Sequence, residues 1–272
     1  MPAIIRNVFE EYARELLNVG DCISVNSGTS GLLATLMSLD MEKGDEVITT
    51  PFTFIATTNT ILFSGGTPIF VDINESDYLI NTEKIEERIT ERTKAIIPVH
   101  LYGRVCNMDK LLELGEKYNL PIIEDAAQAF SSTYKGKYAG TFGDAGVFSF
   151  YKTKPLSTFE GGMIAIKNGS KLDAEKIKSI TNQGQVGPTK YNHEYLGFNF
   201  RLAEPLCLLG YEAMKLHMEG VRAQIGLRGP DSGHYPRVVY EQPVYKKLGI
   251  TGDCKIAEKV AENIRKKCNI VY

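Results

Sequence analysis

No C-x-x-C pair occurs among the five cysteines, Cys22, Cys106, Cys207, Cys254 and Cys268, which are odd in number and widely spaced. That argues against a disulfide framework and against a zinc or other metal site, and it fits a reducing cytosol. Neither sign of charge predominates. The chain has 31 Lys and Arg against 33 Asp and Glu, a formal net charge of -2, so nothing draws it globally to nucleic acid or anionic lipid. No uncharged apolar run is long enough to span a bilayer. The opening "MPAIIRNVFEEYARELLNV" carries charges through its apolar periodicity, as an amphipathic helix does and a signal peptide does not. A soluble, cytoplasmic protein is expected, with neither membrane nor nucleic acid as a partner. Internal repeats and low-complexity tracts are also absent.

What is present is an ordinary globular composition, 43% hydrophobic and 24% charged over 272 residues, enough for one large domain with an appendage. Short β-rich runs occur at "CISVN" (22–26), "EVITT" (46–50), "TPIFVDI" (67–73), "KAIIPVH" (94–100), "LPIIED" (120–125), "AGVFSF" (145–150) and "GMIAIK" (162–167). Helical patterns separate many of them, as at "TSGLLATLMSL" (29–39), "FIATTNTILFS" (54–64) and "MDKLLELGEKYN" (108–119). The alternation predicts an α/β fold, a mostly parallel sheet sandwiched by helices. Ligands of such sheets bind outside the carboxyl ends of the strands, which singles out "SGTS", "PFTF", "HLYG", "DAAQ" and "YKTK". From about Ala203 a helical run leads into the loop-like "GLRGPDSGHYP" (226–236). The domain boundary is placed near Gln224, with 1–224 a large domain and 225–272 the remnant of a small one.

Four strand ends carry chemistry. After the first strand, Ser-Gly-Thr-Ser opens a helix, so the amides of Gly28, Thr29 and Ser30 form either an anion cup or an ordinary cap. Glu124 and Asp125 end a buried strand and face opposite ways, so only one can look into a site while the other turns toward solvent or a structural partner. Phe54 supplies an aromatic after another strand. Finally, "GVFSFYKTKPLSTFEGGMIAI" holds Lys152 and Lys154 between two buried strands. Most lysines in turns are solvated, but low-dielectric surroundings favour the neutral amine, a nucleophile toward carbonyls. Spacing does not choose between the two, which share a face of an extended chain. A phosphate cup, a flat aromatic, a buried acid and a lysine together suit pyridoxal 5'-phosphate (PLP).

The motifs "SVNSGTSGL", "GDEVITTPFTFIATTN", "TPIFVDI", "TKAIIPVHLYG", "IIEDAAQA", "GTFGDAGVFSFYKTK" with "EGG", and "LGFNFRL" stand in the order found in the DegT/DnrJ/EryC1/StrS family of PLP-dependent sugar aminotransferases. The chain resembles that family from about Phe9 to Lys215 and more weakly through "GHYP". The resemblance implies an aspartate-aminotransferase-like, fold type I large domain. It implies that Lys154, the lysine after Thr, holds the cofactor, and that Lys152 is solvated. By the same resemblance Asp125 pairs with the pyridine nitrogen, Gln128 lies near the ring oxygen, Phe54 stacks on the ring, and Thr29, Ser30 and Ser149 contact the phosphate. Asn199 or Arg201 is implied to reach a neighbouring subunit's phosphate in a homodimer with shared sites. His234 and Tyr235 are implied as substrate contacts across that interface. His100 and His193 receive no role.

The function so implied is transfer of an amino group from glutamate to a nucleotide-linked keto-sugar, in amino-sugar biosynthesis for cell-surface polysaccharide or a secondary metabolite. A PLP-dependent sugar dehydratase is the alternative within the family, although Lys154 stands where such relatives carry histidine. A non-catalytic regulatory or interaction protein is the alternative outside enzymes. An aminotransferase that uses two amino acids in turn needs a positive clamp for carboxylate, and Arg201, Arg222, Arg228 and Arg237 all follow the lysine, so arginine supply does not decide between sugar and amino-acid acceptors. The chain departs from the family in lacking a segment before Met1, most of a small domain between about Gln224 and Gly233, and a longer C-terminus. Those pieces are expected to lie outside this sequence rather than to be lost from the protein, since cutting into a domain exposes apolar surface. Pro155, where relatives often carry asparagine, restricts the backbone just past Lys154.

Overall fold

The computed structural model describes residues 4–187, 191–220 and 234–268. Its strands are β1 (Asp21–Val25), β2 (Glu46–Thr49), β3 (Thr67–Phe70), β4 (Thr93–Ile97), β5 (Ile123–Asp125), β6 (Thr133–Tyr134), β7 (Lys137–Tyr138), β8 (Ala145–Ser149) and β9 (Gly162–Ile166). The helices are α1 (Ile4–Leu17), α2 (Gly28–Met37), α3 (Ile55–Phe63), α4 (Met108–Lys117), α5 (Ala174–Thr181), α6 (Glu204–Met218), α7 (Pro243–Lys247) and α8 (Lys255–Lys267). Every β-rich run read from the sequence contains a strand.

One parallel ladder has the order β3-β2-β4 and a second ladder the order β1-β9-β8-β5. Backbone bonds join them where β4 runs beside β5. Ile96 N donates to Pro121 O (3.1 Å), Asp125 N to Pro98 O (2.9 Å) and His100 N to Asp125 O (3.0 Å), with parallel bridges at Ile96 and Val99. The result is a continuous order β3-β2-β4-β5-β8-β9-β1. Only β9 runs against its neighbours, antiparallel to both β8 and β1. Pro68 sits in β3 at the sheet edge, where a missing N–H costs no ladder bond.

The strands read as unbroken apolar runs because both faces are covered. Successive residues alternate between two cores, as the period of two demands. Val147, Ile164, Ile166, Val47, Ala95 and Ile97 turn to one face with Leu32 and Leu36 of α2, Ile61 of α3 and Ile177 and Ile180 of α5. Phe148, Met163 and Ala165 turn to the other with Phe9 and Ala13 of α1 and Cys207 and Met214 of α6. Farther along that second face, Ile48, Phe70 and Ile96 meet Leu111 and Leu114 of α4 and Ala257, Ala261 and Ile264 of α8.

The boundary expected near Gln224 lies outside the described residues. Beyond it, residues 234–268 pack into the core of the main sheet. Val238, Val239, Tyr240 and Tyr245 are buried in the same cluster as Ile48 and Phe52, and Val239 N donates to Pro51 O (3.0 Å). Tyr245 is 1% exposed, and its hydroxyl donates to Asn59 on α3. Truncating a buried aromatic costs about 3 to 5 kcal/mol. Tyr245→Ala should therefore lower the global stability of the chain by about 3 kcal/mol, seen as a lower urea midpoint of the whole circular-dichroism transition. A variant that melts 234–268 alone would show that this segment is a separate unit.

Candidate active site

The two acids at the end of β5 face opposite ways, and each has its own set of donors. Glu124 is fully buried. Its carboxylate accepts from the amides of Gly140 (2.8 Å), Phe142 (2.7 Å) and Gly143 (2.7 Å) and meets His100 Nε2 at 2.7 Å. His100 Nδ1 accepts the amide of Cys106 (3.3 Å), which leaves the Nε2 proton to be donated to Glu124. Glu124 and His100 thus form a structural pair that anchors the loop leading into β8. Asp125 turns to the opposite face. It lines a cleft of about 720 Å³ at the carboxyl ends of the strands, where it accepts from Thr57 Oγ1 of α3 (2.8 Å) and from the amide of Ala127 (3.2 Å).

The cleft collects most of the residues named from the sequence. Gly28, Thr29, Phe54, Asp125, Gln128, Ser149, Lys154, His234 and Tyr235 all line it. The start of α2 reaches it through a pair of glycines. A Cβ on Gly28 would meet Ser149 Cβ at 3.0 Å, and one on Gly162 would meet the Gly28 amide nitrogen at 2.8 Å, so helix, β8 and β9 can close up only without side chains there. Phe54 precedes α3 and stays 59% exposed, leaving its ring available to a ligand. Lys154 is half-buried and faces the cleft, whereas Lys152 is exposed, its Nζ 5.8 Å from the Tyr151 ring centroid. Burial lowers the Lys154 pKa, and the nearby negative charge of Asp125 opposes that shift.

Three placements bear on the sequence reading. Ser30 does not line the cleft, because it is consumed in capping: its amide donates to Ser27 Oγ (3.0 Å) and its hydroxyl to Asn26 Oδ1 (2.5 Å). Ser27 lines the cleft in its stead. Asn199 and Arg201 also lie outside this chain's own cleft. Asn199 O accepts from Asn26 Nδ2 (3.2 Å), and Arg201 Nη1 donates to Asn182 Oδ1 (2.8 Å). His234 and Tyr235 lie on the cleft of their own chain, where the resemblance implied a reach across an interface. Gln128 explains the difference. Its Nε2 donates to the Tyr235 hydroxyl (2.9 Å) while its Oε1 accepts the amide of Tyr102 (3.0 Å), so one amide ties β5's loop to the C-terminal segment. Burial, reinforced by the charge of Asp125, pushes the Tyr235 phenol up and keeps it a proton donor.

The sequence reading missed Thr57, Tyr102 and the role of Glu124 with His100. Nothing local marks Thr57, which stands 68 positions from the carboxylate it contacts. Among the described residues no cluster of three or more His, Cys, Asp or Glu could hold a metal ion, and no helix is long and apolar enough to cross a membrane.

The model of the DegT/DnrJ/EryC1/StrS aminotransferase family matches residues 6–226. A GDP-perosamine synthase of Escherichia coli O157:H7 is 40% identical over 202 residues, 74% of this chain and 55% of that protein. The chain spans about half the length of the curated relatives it matches. Among solved structures, Helicobacter pylori PseC, an aminotransferase involved in the biosynthesis of pseudoaminic acid, superposes with a TM-score of 0.78 at 25% identity, covering 97% of this chain and 91% of that one. The PLP form of the putative sugar aminotransferase Spr1654 from Streptococcus pneumoniae does so with a TM-score of 0.74 at 29% identity, over 79% of this chain and 60% of that one. The fold is that of these enzymes, the fold type I of PLP proteins.

The lowered pKa of Lys154 has a consequence for stability. Between the lowered value and the ordinary lysine value of 10.5, the unfolded chain binds a proton that the folded chain does not, so stability rises with pH across that window. Lys154→Met abolishes this titration. The stability of the cofactor-free wild type relative to that variant should increase as the pH is raised from neutral toward 10.5, read from paired urea midpoints. A difference that does not change with pH would place the amine in an ordinary aqueous environment.

Proposed function

This chain belongs to the DegT/DnrJ/EryC1/StrS aminotransferase family, and from that premise we propose that it is a PLP-dependent aminotransferase that aminates a nucleotide-linked keto-sugar. The observation that carries the reading is the meeting, in one cleft, of a lysine of lowered pKa with a buried carboxylate beside the start of a helix. The relatives named for GDP-perosamine and for a UDP-linked 3-dehydro sugar support the substrate class, and the relative solved in PLP and PMP forms supports the cofactor.

The residues present fit that cofactor. The amides of Gly28 and Thr29 and the hydroxyls of Ser27, Thr29 and Ser149 suit its phosphate, with the positive end of the helix dipole behind them. The exposed face of Phe54 suits its ring. Asp125, oriented by Thr57 and the Ala127 amide, suits a protonated pyridine nitrogen, and Gln128, which lines the cleft, suits a ring oxygen. When bound, PLP supplies an electron sink for a carbon that loses its proton.

The chain's own groups carry the proton traffic. Lys154 Nζ would be the nucleophile that holds the cofactor's aldehyde carbon, and its lowered pKa favours the neutral amine this needs. With an amino donor in the cleft, which we take to be glutamate, the same Nζ would be the group that takes up the donor's α-proton and gives it back. Asp125 would face the ring nitrogen, and the bond from Thr57 holds its carboxylate in that orientation. The second half-reaction runs these proton transfers in reverse on the keto-sugar.

A homodimer belongs to the same proposal. Leu196 is 88%, Tyr191 84% and Phe198 47% exposed, an apolar stretch next to Asn199 and Arg201 of the kind a partner subunit covers. In such a dimer Asn199 or Arg201 would serve the neighbour's phosphate. A cytoplasmic setting completes the proposal, supported by five free cysteines, four of them buried.

Borohydride reduction of the purified yellow protein followed by peptide mapping should find a pyridoxyl label on Lys154. The label should persist in Lys152→Ala and vanish in Lys154→Ala; a label on Lys152 would overturn the assignment. Glutamate should convert the bound cofactor to its pyridoxamine form, and a nucleotide-linked keto-hexose should return it. Return by pyruvate or oxaloacetate, with no response to any sugar nucleotide, would move the chain to the amino-acid transaminases. Absence of any cofactor would favour a non-catalytic role.

A further inference from the structure

Both substrates of such a reaction are anions, through the α-carboxylate of the donor and the diphosphate of the acceptor, and an anion that enters a partly apolar cleft needs a fixed cation to replace its water. Among the described residues that line the cleft, the lysine and arginine side chains are Lys154 and Arg237. Lys154 is committed to the carbonyl chemistry, and the cofactor phosphate is served by α2. Of the other arginines that follow the lysine, Arg201 bonds to Asn182 outside this cleft, and Arg222 and Arg228 lie outside the described residues. We propose that Arg237 is the specificity-determining residue that binds the anionic group of the incoming substrate, an inference that rests on the functional reading above.

The backbone around Arg237 is built to hold a side chain in place. Two residues before it, the Tyr235 hydroxyl accepts from Gln128 Nε2 (2.9 Å), and the Tyr235 ring packs edge-on to Phe52 with centroids 5.9 Å apart. Pro236 restricts the intervening φ. On the other side Val238 and Val239 are buried at 0% and 1% exposure, and Val239 N is bonded to Pro51 O (3.0 Å). Arg237 itself stays half-buried at the cleft. With the backbone pinned on both sides, binding has no main chain left to order here, and the planar fork of the guanidinium matches a carboxylate or a phosphate in two parallel bonds. Glu160 and Asp125, the acids that share the lining, disfavour an anion beside them, so Arg237 also directs where the charged end of the substrate goes.

The test separates the two anions. The holoenzyme is titrated calorimetrically with glutarate, a dicarboxylate without a reactive amine, and with UDP and GDP. Arg237→Met should weaken at least one of these probes by about tenfold or more, in line with the loss of a charge-assisted pair, and Arg237→Lys should recover only part because it lacks the fork. Weakening confined to glutarate assigns the arginine to the donor carboxylate, and weakening confined to the nucleotides assigns it to the diphosphate. Lys152→Met, which removes an exposed cation outside the cleft, should change neither. If Arg237→Met lowers the melting temperature, the titrations are read on Arg237→Lys and Arg237→Gln. Unchanged affinity for all three probes in the variants, with the wild type converting its cofactor with glutamate, overturns the inference and leaves the functional reading standing. A wild type that holds no cofactor refutes that reading, and the same titrations on the cofactor-free chain then decide Arg237 separately.

Discussion

The alternation of side chains along β5 sends two adjacent carboxylates into opposite environments, and the rest of the site is arranged around that split. Glu124 points to the interior and is matched by three backbone amides and a histidine. An uncompensated carboxylate there would be expensive to bury, so the loop at 140–143 has to wrap around it. That loop feeds β8, which carries Ser149, and the turn after β8 carries Lys154. Asp125, one residue on, inherits the opposite face and with it the cleft. The position of the acid in the cleft is therefore fixed by the satisfaction of its neighbour underneath.

A second constraint is close approach. The start of α2 must lie near the ends of β8 and β9 if its amides are to serve a ligand, and Gly28 and Gly162 leave the space for it. The helix is capped by Ser27, which takes the Ser30 amide and so leaves the first two amides of the helix, not the third, for anything bound in the cleft. The opposite wall is closed by the C-terminal segment. Its core residues anchor on the same sheet as the strands, and the bond from Gln128 to Tyr235 brings its turn over the cleft. Residues separated by 107 positions thus share one amide group.

Much of the fold was legible because each strand and most helices are stated locally, in unbroken apolar runs and in helical periodicity. "EVITT", "KAIIPVH" and "GMIAIK" could hardly be anything but strands covered on both sides. The reversed direction of β9 was not legible, since an apolar run reads the same parallel or antiparallel. The cleft residues at strand ends were legible as a group because the rule about carboxyl ends needs only the strand positions. The use of Ser30 in capping was not legible, because a cap and an anion cup share the same hydroxyl-rich signature and only the geometry of Ser27 separates them. That His234 and Tyr235 line the cleft of their own chain was not legible, because a motif carries no record of which copy of the chain it folds against.

By itself the sequence determined the class of fold, the family and the residue types at each strand end, all of which depend on neighbours within a few positions or on motifs in register. Tertiary structure alone decided which of two adjacent acids enters the cleft, which of two lysines is desolvated, that Thr57 holds Asp125, and that Arg237 rather than Arg201 stands in this chain's own cleft. The physical reason is that burial and hydrogen-bond partnership belong to the packed chain. The contacts that set them span 68 residues from Thr57 to Asp125 and 107 from Gln128 to Tyr235, and no local pattern of residues encodes a partner at that distance.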